Sequence, residues 1–128
     1  MNKILIADDE RHIRELLLTT LSDTGYEILT AKDGEEALNI AREEKPDLVL
    51  LDIIMPKMNG YSVCEKLKSD TGTKAITVVM LSALSGKTDR EKGLMGGADD
   101  YIIKPFSPSA LMDKLQEVFS NRKHNSKR

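Results

Sequence analysis

The feature that most constrains the fold is an alternation of short apolar runs with apolar stripes at helical spacing. Apolar runs of strand length lie at 4–7, 48–51 and 76–81, and weaker ones lie at 27–30 and 101–103. Helical stripes follow near residues 13–21, 34–44, 63–67, 89–95 and 111–119. Near-continuous apolar strands need helices over both faces of their sheet. The pattern therefore predicts an α/β fold, (βα)₅, with a doubly wound parallel sheet of five strands.

Polar residues stand where four of the five strands end. Asp8 and Asp9 follow the first strand, Asp52 follows the third, Ser82 the fourth and Lys104 the fifth. All carboxyl ends of a parallel sheet lie along one edge, where ligand sites collect. We therefore expect these five residues to meet in one site, although the acids at 8–10 alone could form a solvated loop and helix cap.

The chemistry of these side chains indicates phosphoryl transfer. Three close carboxylates repel one another, and Mg²⁺, which prefers oxygen ligands and often bridges to phosphate, relieves that repulsion. A lysine such as Lys104 offers a positive charge to a phosphoryl oxygen. A carboxylate can itself be the nucleophile and form an acyl phosphate.

Four motifs at their spacings give the chain a family resemblance. They are DDE at 8–10, LLDIIMPKMNG at 50–60, LSA at 81–83 and KPF at 104–106. With them the chain resembles the receiver domains of two-component response regulators over residues 2–120. The resemblance implies a flavodoxin-like strand order, 2-1-3-4-5, and leaves 121–128 as a basic polar tail or the start of a linker.

The resemblance also implies roles at the acidic edge. Asp52 would accept a phosphoryl group from the phosphohistidine of a sensor histidine kinase or phosphotransfer protein. Asp9 would bind Mg²⁺ directly and Asp8 through water, with Asp52 and the backbone carbonyl of Ile54 completing the protein ligands. The domain would catalyse only its own phosphorylation and dephosphorylation.

The switch residues are implied in the same way. Ser82 would hydrogen-bond the new phosphoryl oxygens, Lys104 would pair with one of them, and Tyr101 would turn inward after Ser82 moves. This would reshape the face built from the fourth helix, fifth strand and fifth helix, and so control an output domain or a partner protein. A cis bond before Pro105 would aim Lys104 into the site. Ser82 as a helix-capping hydroxyl and Tyr101 as an ordinary half-buried aromatic stay open as alternatives.

Two other classes of function compete with a switch. A phosphatase or phosphotransferase of the haloacid-dehalogenase type needs its nucleophile and a second Asp two residues later after strand 1, which Ala7-Asp8-Asp9-Glu10 does not supply. A flavodoxin-like flavin carrier needs a hydroxyl- and glycine-rich phosphate loop there, where this chain has acids that repel phosphate. The sequence favours the switch.

The composition of the chain limits which binding partners and which cell compartment we expect. A net charge of −2 and the absence of Trp argue against direct nucleic-acid binding by this domain. The apolar runs are too short to span a membrane, and the lone Cys64 suits a reducing cytoplasm. A stand-alone regulator and a receiver cut from a longer protein both fit, with the basic tail favouring the second. A phosphorylation-dependent dimer is also allowed.

Overall fold

The computed structural model describes residues 3–82 and 97–126, the side chains of Ser82 and of 121–126 excepted. The strands are β1 (Lys3–Ala7), β2 (Glu27–Ala31), β3 (Leu48–Asp52), β4 (Thr77–Ser82) and β5 (Asp100–Ile103). The helices are α1 (Arg11–Leu21), α2 (Gly34–Glu44), α3 (Gly60–Ser69) and a C-terminal helix (Pro108–Ser126). The helix expected near 89–95 lies outside the described residues.

The five strands form one parallel sheet in the order β2-β1-β3-β4-β5, as expected. Ala7 pairs with Leu51 across β1 and β3, and Asp52 pairs with Leu81 across β3 and β4. The carboxyl ends of β1, β3 and β4 therefore lie side by side. This register sets the position of the site.

Alternate residues of each strand face opposite layers of the core. One layer packs β1, β3 and β4 against α2 and α3 and includes Leu5, Val49 and Met80. The other packs the sheet against α1 and the C-terminal helix and includes Ile6 and Leu50. Burial on both faces explains why the central strands are continuously apolar instead of alternating.

Side chains cap α2 and α3 but not α1. The Asp33 carboxylate accepts the Glu36 N–H at 2.8 Å, and the Asn59 side chain accepts the Ser62 N–H at 2.9 Å. Both are the usual N-cap bond, which satisfies an amide in the first helical turn. Glu10 precedes α1 and forms no side-chain cap. The junction of β1 with α1 is held instead by Arg14 of α1, whose guanidinium donates to the backbone carbonyl of Asp8.

Most observed bounds differ from the expected ones by a few residues, but the C-terminal helix continues to Ser126, into the stretch expected as a tail or linker. Ile76 lies before β4, in a turn where its N–H donates to the Thr73 carbonyl at 3.0 Å, and Ser82 is the last residue of β4. The division at residue 120 stays a prediction. Among the described residues, none of the helices has the length and apolarity needed to cross a membrane.

Candidate functional site

Asp8 and Asp52 lie at the ends of adjacent strands. Asp8 is the first residue beyond β1, where its N–H still donates to the Ala31 carbonyl at 3.1 Å. Asp52 is the last residue of β3. The exposed fraction is 0% for Asp8 and 7% for Asp52. The sheet therefore buries two carboxylates at one edge, an arrangement that is unfavourable without compensating positive charge.

Lys104 reaches this edge from the end of β5 and bridges the two aspartates. Its Nζ lies 2.8 Å from Asp8 Oδ2 and 3.5 Å from Asp52 Oδ1. The peptide bond between Lys104 and Pro105 is cis, as the resemblance implied. Residues that are widely separated in the sequence thus meet in one hydrogen bond and one ion pair.

Further acids surround the pair. Oxygen atoms of Asp8, Asp9 and Glu10 lie within 4.8 Å of one another, and Asp9 and Glu10 are exposed. The exposed His12 ring lies 3.3 Å from a Glu10 oxygen. Sequence reasoning selected Asp8 and Asp9 as metal ligands and assigned no such role to Glu10, although the DDE motif contains it. The cluster offers only oxygen ligands, which suits a hard cation.

The electrostatics of the site leave excess negative charge. Burial raises the pKa of Asp52 to about 6, the charges of Asp8 and Asp9 add to that rise, and Lys104 opposes it. Burial opposes the charge of Lys104, but its hydrogen bond to Asp8 and the attraction of Asp52 outweigh this and raise its pKa. Lys104 lies beside the carboxylates of Asp8 and Asp52, and the exposed Asp9 and Glu10 add further negative charge nearby. A donor set of carboxylate oxygens with unbalanced charge fits Mg²⁺.

The loop after Asp52 is tied back to the sheet. The Ile53 N–H donates to the Leu81 carbonyl at 3.2 Å, and the Gly60 N–H donates to the Ile53 carbonyl at 2.7 Å. A Cβ at Gly60 would collide with the Asp52 carbonyl oxygen, so only glycine allows this approach. The side chain of Ile54 is 66% exposed. The metal-ligand role expected for its carbonyl stays a prediction.

The two expected switch residues lie on β4 and β5. The backbone of Ser82 follows Leu81, the residue paired with Asp52, and itself pairs with Ile103. Tyr101 is half-buried and packs against the core layer that contains α2 and α3. It also lines a groove of about 480 Å³ between β5 and the C-terminal helix. Their roles in switching stay predictions.

One polar contact of the site was missed by sequence reasoning. Arg14, in α1, donates from Nη1 to the backbone carbonyl of Asp8 at 2.8 Å. The signal in the sequence is weak: an arginine in the helix that follows the acidic strand end. Nothing in the spacing shows that its guanidinium turns back to the strand.

Taken together, a doubly wound parallel sheet and an acidic, lysine-bridged edge define a flavodoxin-like α/β domain with an aspartate-based site. The family model described as "Response regulator receiver domain" matches residues 4–116. The chain therefore belongs to the response regulator receiver domains of two-component systems. It is 50% identical over 116 residues to the "Probable transcriptional regulator ycf27" of Guillardia theta, covering 91% of this chain and 44% of that protein.

Two further matches agree with this family. The "Alkaline phosphatase synthesis transcriptional regulatory protein PhoP" of Bacillus subtilis is 43% identical over 91% of this chain and 48% of its own length. The chemotaxis response regulator CheY4 of Vibrio cholerae has a structure that superposes with a TM-score of 0.88. It is 35% identical, over 92% of this chain and 98% of that one.

These matches limit what the domain does. The chain spans about half the length of the curated relatives it matches. Receiver domains are not enzymes in the ordinary sense, and the family match does not support the haloacid-dehalogenase alternative.

The buried Cys64 has a pKa raised to about 11 by burial, which agrees with a packing role and gives no sign of redox chemistry.

Proposed function

We propose that this domain is a phosphorylation switch in which Asp52 is the phosphoryl acceptor. The observation that carries the proposal is the placement of the buried Asp52 carboxylate 3.5 Å from Lys104 Nζ and beside Asp8. A carboxylate held this way has a cation ready for the charge of an incoming phosphoryl group. The donor is the phosphohistidine of a sensor histidine kinase or phosphotransfer protein.

The transfer forms one bond and breaks one. An Asp52 oxygen attacks phosphorus, and the P–N bond of phosphohistidine breaks with its electron pair leaving on the imidazole ring. The ring departs as neutral histidine when its other nitrogen already carries a proton. Asp52 must be ionised to attack, and the charge on Lys104 favours that ionised form.

Mg²⁺ would be bound directly by Asp9 and through a water molecule by Asp8. Asp52 and the backbone carbonyl of Ile54 would complete the protein ligands. When bound, the ion neutralises charge on the phosphoryl oxygens during transfer. The chain's own part is positioning: Asp8 is buried and fixed, whereas Asp9 is exposed and accessible from solvent. Hydrolysis of the aspartyl phosphate at the same site would reset the switch.

Switching begins with the new negative charge on Asp52. A phosphoryl group adds about one to two negative charges and strong acceptor oxygens. Lys104 turns from Asp8 to a phosphoryl oxygen, Ser82 hydrogen-bonds another, and Tyr101 turns inward. The groove that Tyr101 lines then changes shape, and that face signals to the output.

The output lies outside this domain. We infer that residues 2–120 form the receiver and that 121–128, of which 121–126 continue the C-terminal helix, lead into a linker of a longer, cytoplasmic protein, because the curated relatives are about twice as long. The relatives that this chain matches over about half of their length are named as transcriptional regulators, which favours a transcriptional output. Nucleic acid would then be bound by another domain and not by this one. Phosphorylation-dependent dimerisation is a further state of this switch.

Labelling of the protein by acetyl phosphate tests the acceptor. With Mg²⁺ present, intact-mass measurement should find one phosphoryl group on the wild type and none on Asp52→Asn, because the amide cannot act as the nucleophile. The matched control is Asp23→Asn, an exposed aspartate in the turn after α1, which should be labelled normally. Stoichiometric labelling of Asp52→Asn would overturn the proposal.

A further inference from the structure

We propose that Arg14 is a positioning residue for the Mg²⁺ site, an inference that rests on the metal binding proposed above. Arg14 lies in α1, is half-buried, and donates from Nη1 to the backbone carbonyl of Asp8 at 2.8 Å. Its guanidinium fixes the strand end that carries both Asp8 and Asp9. Arg14 itself touches no reacting atom.

Every polar group of Asp8 has a partner. Its N–H donates to the Ala31 carbonyl at 3.1 Å. Its carboxylate accepts the Glu10 N–H at 2.9 Å and the Lys104 ammonium at 2.8 Å. Its carbonyl accepts from Arg14, and this is the one bond of the four that a side chain of α1 supplies. A buried carbonyl without a partner is unfavourable, so the strand end depends on this arginine.

The Asp8 carbonyl also controls the position of Asp9. The peptide bond is planar, so the carbonyl oxygen of Asp8 and the amide nitrogen of Asp9 belong to one rigid unit. Holding the oxygen therefore sets the orientation from which the Asp9 side chain starts. Because Asp9 is exposed, little packing around its side chain can do this instead.

Charge and position predict opposite effects of removing Arg14. Within the described residues, no ion pair includes Arg14, so its cation does not neutralise a carboxylate directly. A positive charge near a cation site weakens cation binding. If Arg14 acted through its charge alone, its removal would strengthen Mg²⁺ binding. If it acts through position, removal weakens binding.

The experiment is a Mg²⁺ titration of the unphosphorylated protein, followed by backbone amide NMR shifts. Arg14→Met keeps the aliphatic stem and removes the donors, and should weaken Mg²⁺ binding about tenfold, the lower end of the effect of losing a supporting contact. Arg14→Lys keeps one donor and should recover part of that loss. The control is Arg11→Met, which removes the same charge from the same helix at an exposed residue bonded to Glu15.

Unchanged or tighter Mg²⁺ binding in Arg14→Met would overturn the proposal, as would an equal loss in Arg11→Met. Circular dichroism melts fix a temperature at which every variant is folded, and the titrations are done there. At saturating Mg²⁺, acetyl phosphate should label the wild type and the control Arg11→Met to the same level. A wild type that binds Mg²⁺ and is not labelled would refute the acceptor role of Asp52 and leave the test of Arg14 intact.

Discussion

Among the described residues, Asp52 carries a charge that the fold accommodates poorly. Its pKa rises from the usual 3.8 to about 6 because it is buried and faces Asp8 and Asp9. Between about pH 4 and pH 6 the folded protein therefore binds a proton that the unfolded chain releases. Stability contributed at this site is present at low pH and falls as the pH rises through that window.

Replacing Asp52 by Asn should therefore stabilise the protein when Mg²⁺ is absent. At pH 7.5 we expect the free energy of unfolding to rise by roughly 2–3 kcal/mol, the value of a two-unit pKa shift. At pH 4 the gain should nearly vanish, because Asp52 is then protonated in the folded wild type. Urea denaturation at the two pH values measures both. A gain of equal size at pH 4 and pH 7.5 would contradict the electrostatic cause.

The positions of some site residues could be predicted from the sequence, and those of others could not. Asp8, Asp52 and Lys104 follow strands, and strand ends converge in any parallel sheet, so their meeting was predictable. The direct bridge from Lys104 to both aspartates needed coordinates, since reach and rotamer do not appear in spacing. Arg14 was missed for the same reason: its partner is a backbone carbonyl, which any residue could supply.

At the scale of the secondary-structure elements, the side chain of Lys68 joins α3 to β4 and to the chain entering β5, at a distance from the site. Lys68, in the last turn of α3, donates to the Ile76 carbonyl at 2.6 Å and to the Asp99 carboxylate at 2.9 Å. That carboxylate also accepts the Val78 N–H at 2.8 Å. The stem of Lys68 packs beside Gly97, whose φ of 94° suits glycine. Lys68 thus ties α3 to β4 and to the chain entering β5.

Removing this amine should destabilise the domain. Lys68→Met keeps the stem and loses the donors, leaving the Ile76 carbonyl without this bond, and we expect a loss of about 1–3 kcal/mol. Lys66→Met is the matched control, because Lys66 is an exposed lysine in the same helical turn, and it should change stability by less than about 0.5 kcal/mol. Chemical denaturation of both variants measures the change in the free energy of unfolding. An equal loss of stability in the two variants would contradict the role of Lys68.

Elements were predictable where burial shaped the sequence. β3 is buried at every residue, and its apolar run located it with an error of one residue. β2 gave a weaker signal because it lies at the edge of the sheet and is only partly buried. The Lys68 contacts gave no signal, since a lysine near a helix end usually lies in solvent. The helix expected near 89–95 remains a prediction.

For the molecule as a whole, Lys104 links the site to the face that would signal. It follows β5, whose Tyr101 and Ile103 line the groove on that face, while its ammonium lies 2.8 Å from Asp8. In the present state the lysine is held by Asp8. A phosphoryl group on Asp52, as proposed above, would offer it a stronger partner. A phosphoryl group can shift the equilibrium between two states of the domain only if its interactions differ between them. The contact of Lys104, with Asp8 in one state and with the phosphoryl group in the other, would be such a difference.

Lys104→Ala should separate phosphorylation from switching. Asp52 remains as nucleophile, so acetyl phosphate should still label the variant, on the order of a hundredfold more slowly because a charged donor is lost. The amide NMR shifts that phosphorylation causes in β5 and the C-terminal helix should largely disappear, because no ammonium follows the phosphoryl group. Lys57→Met removes a lysine whose partner is Asp33, outside the site, and should keep both labelling and shifts. Wild-type shifts in fully labelled Lys104→Ala would show that the switch operates without this lysine.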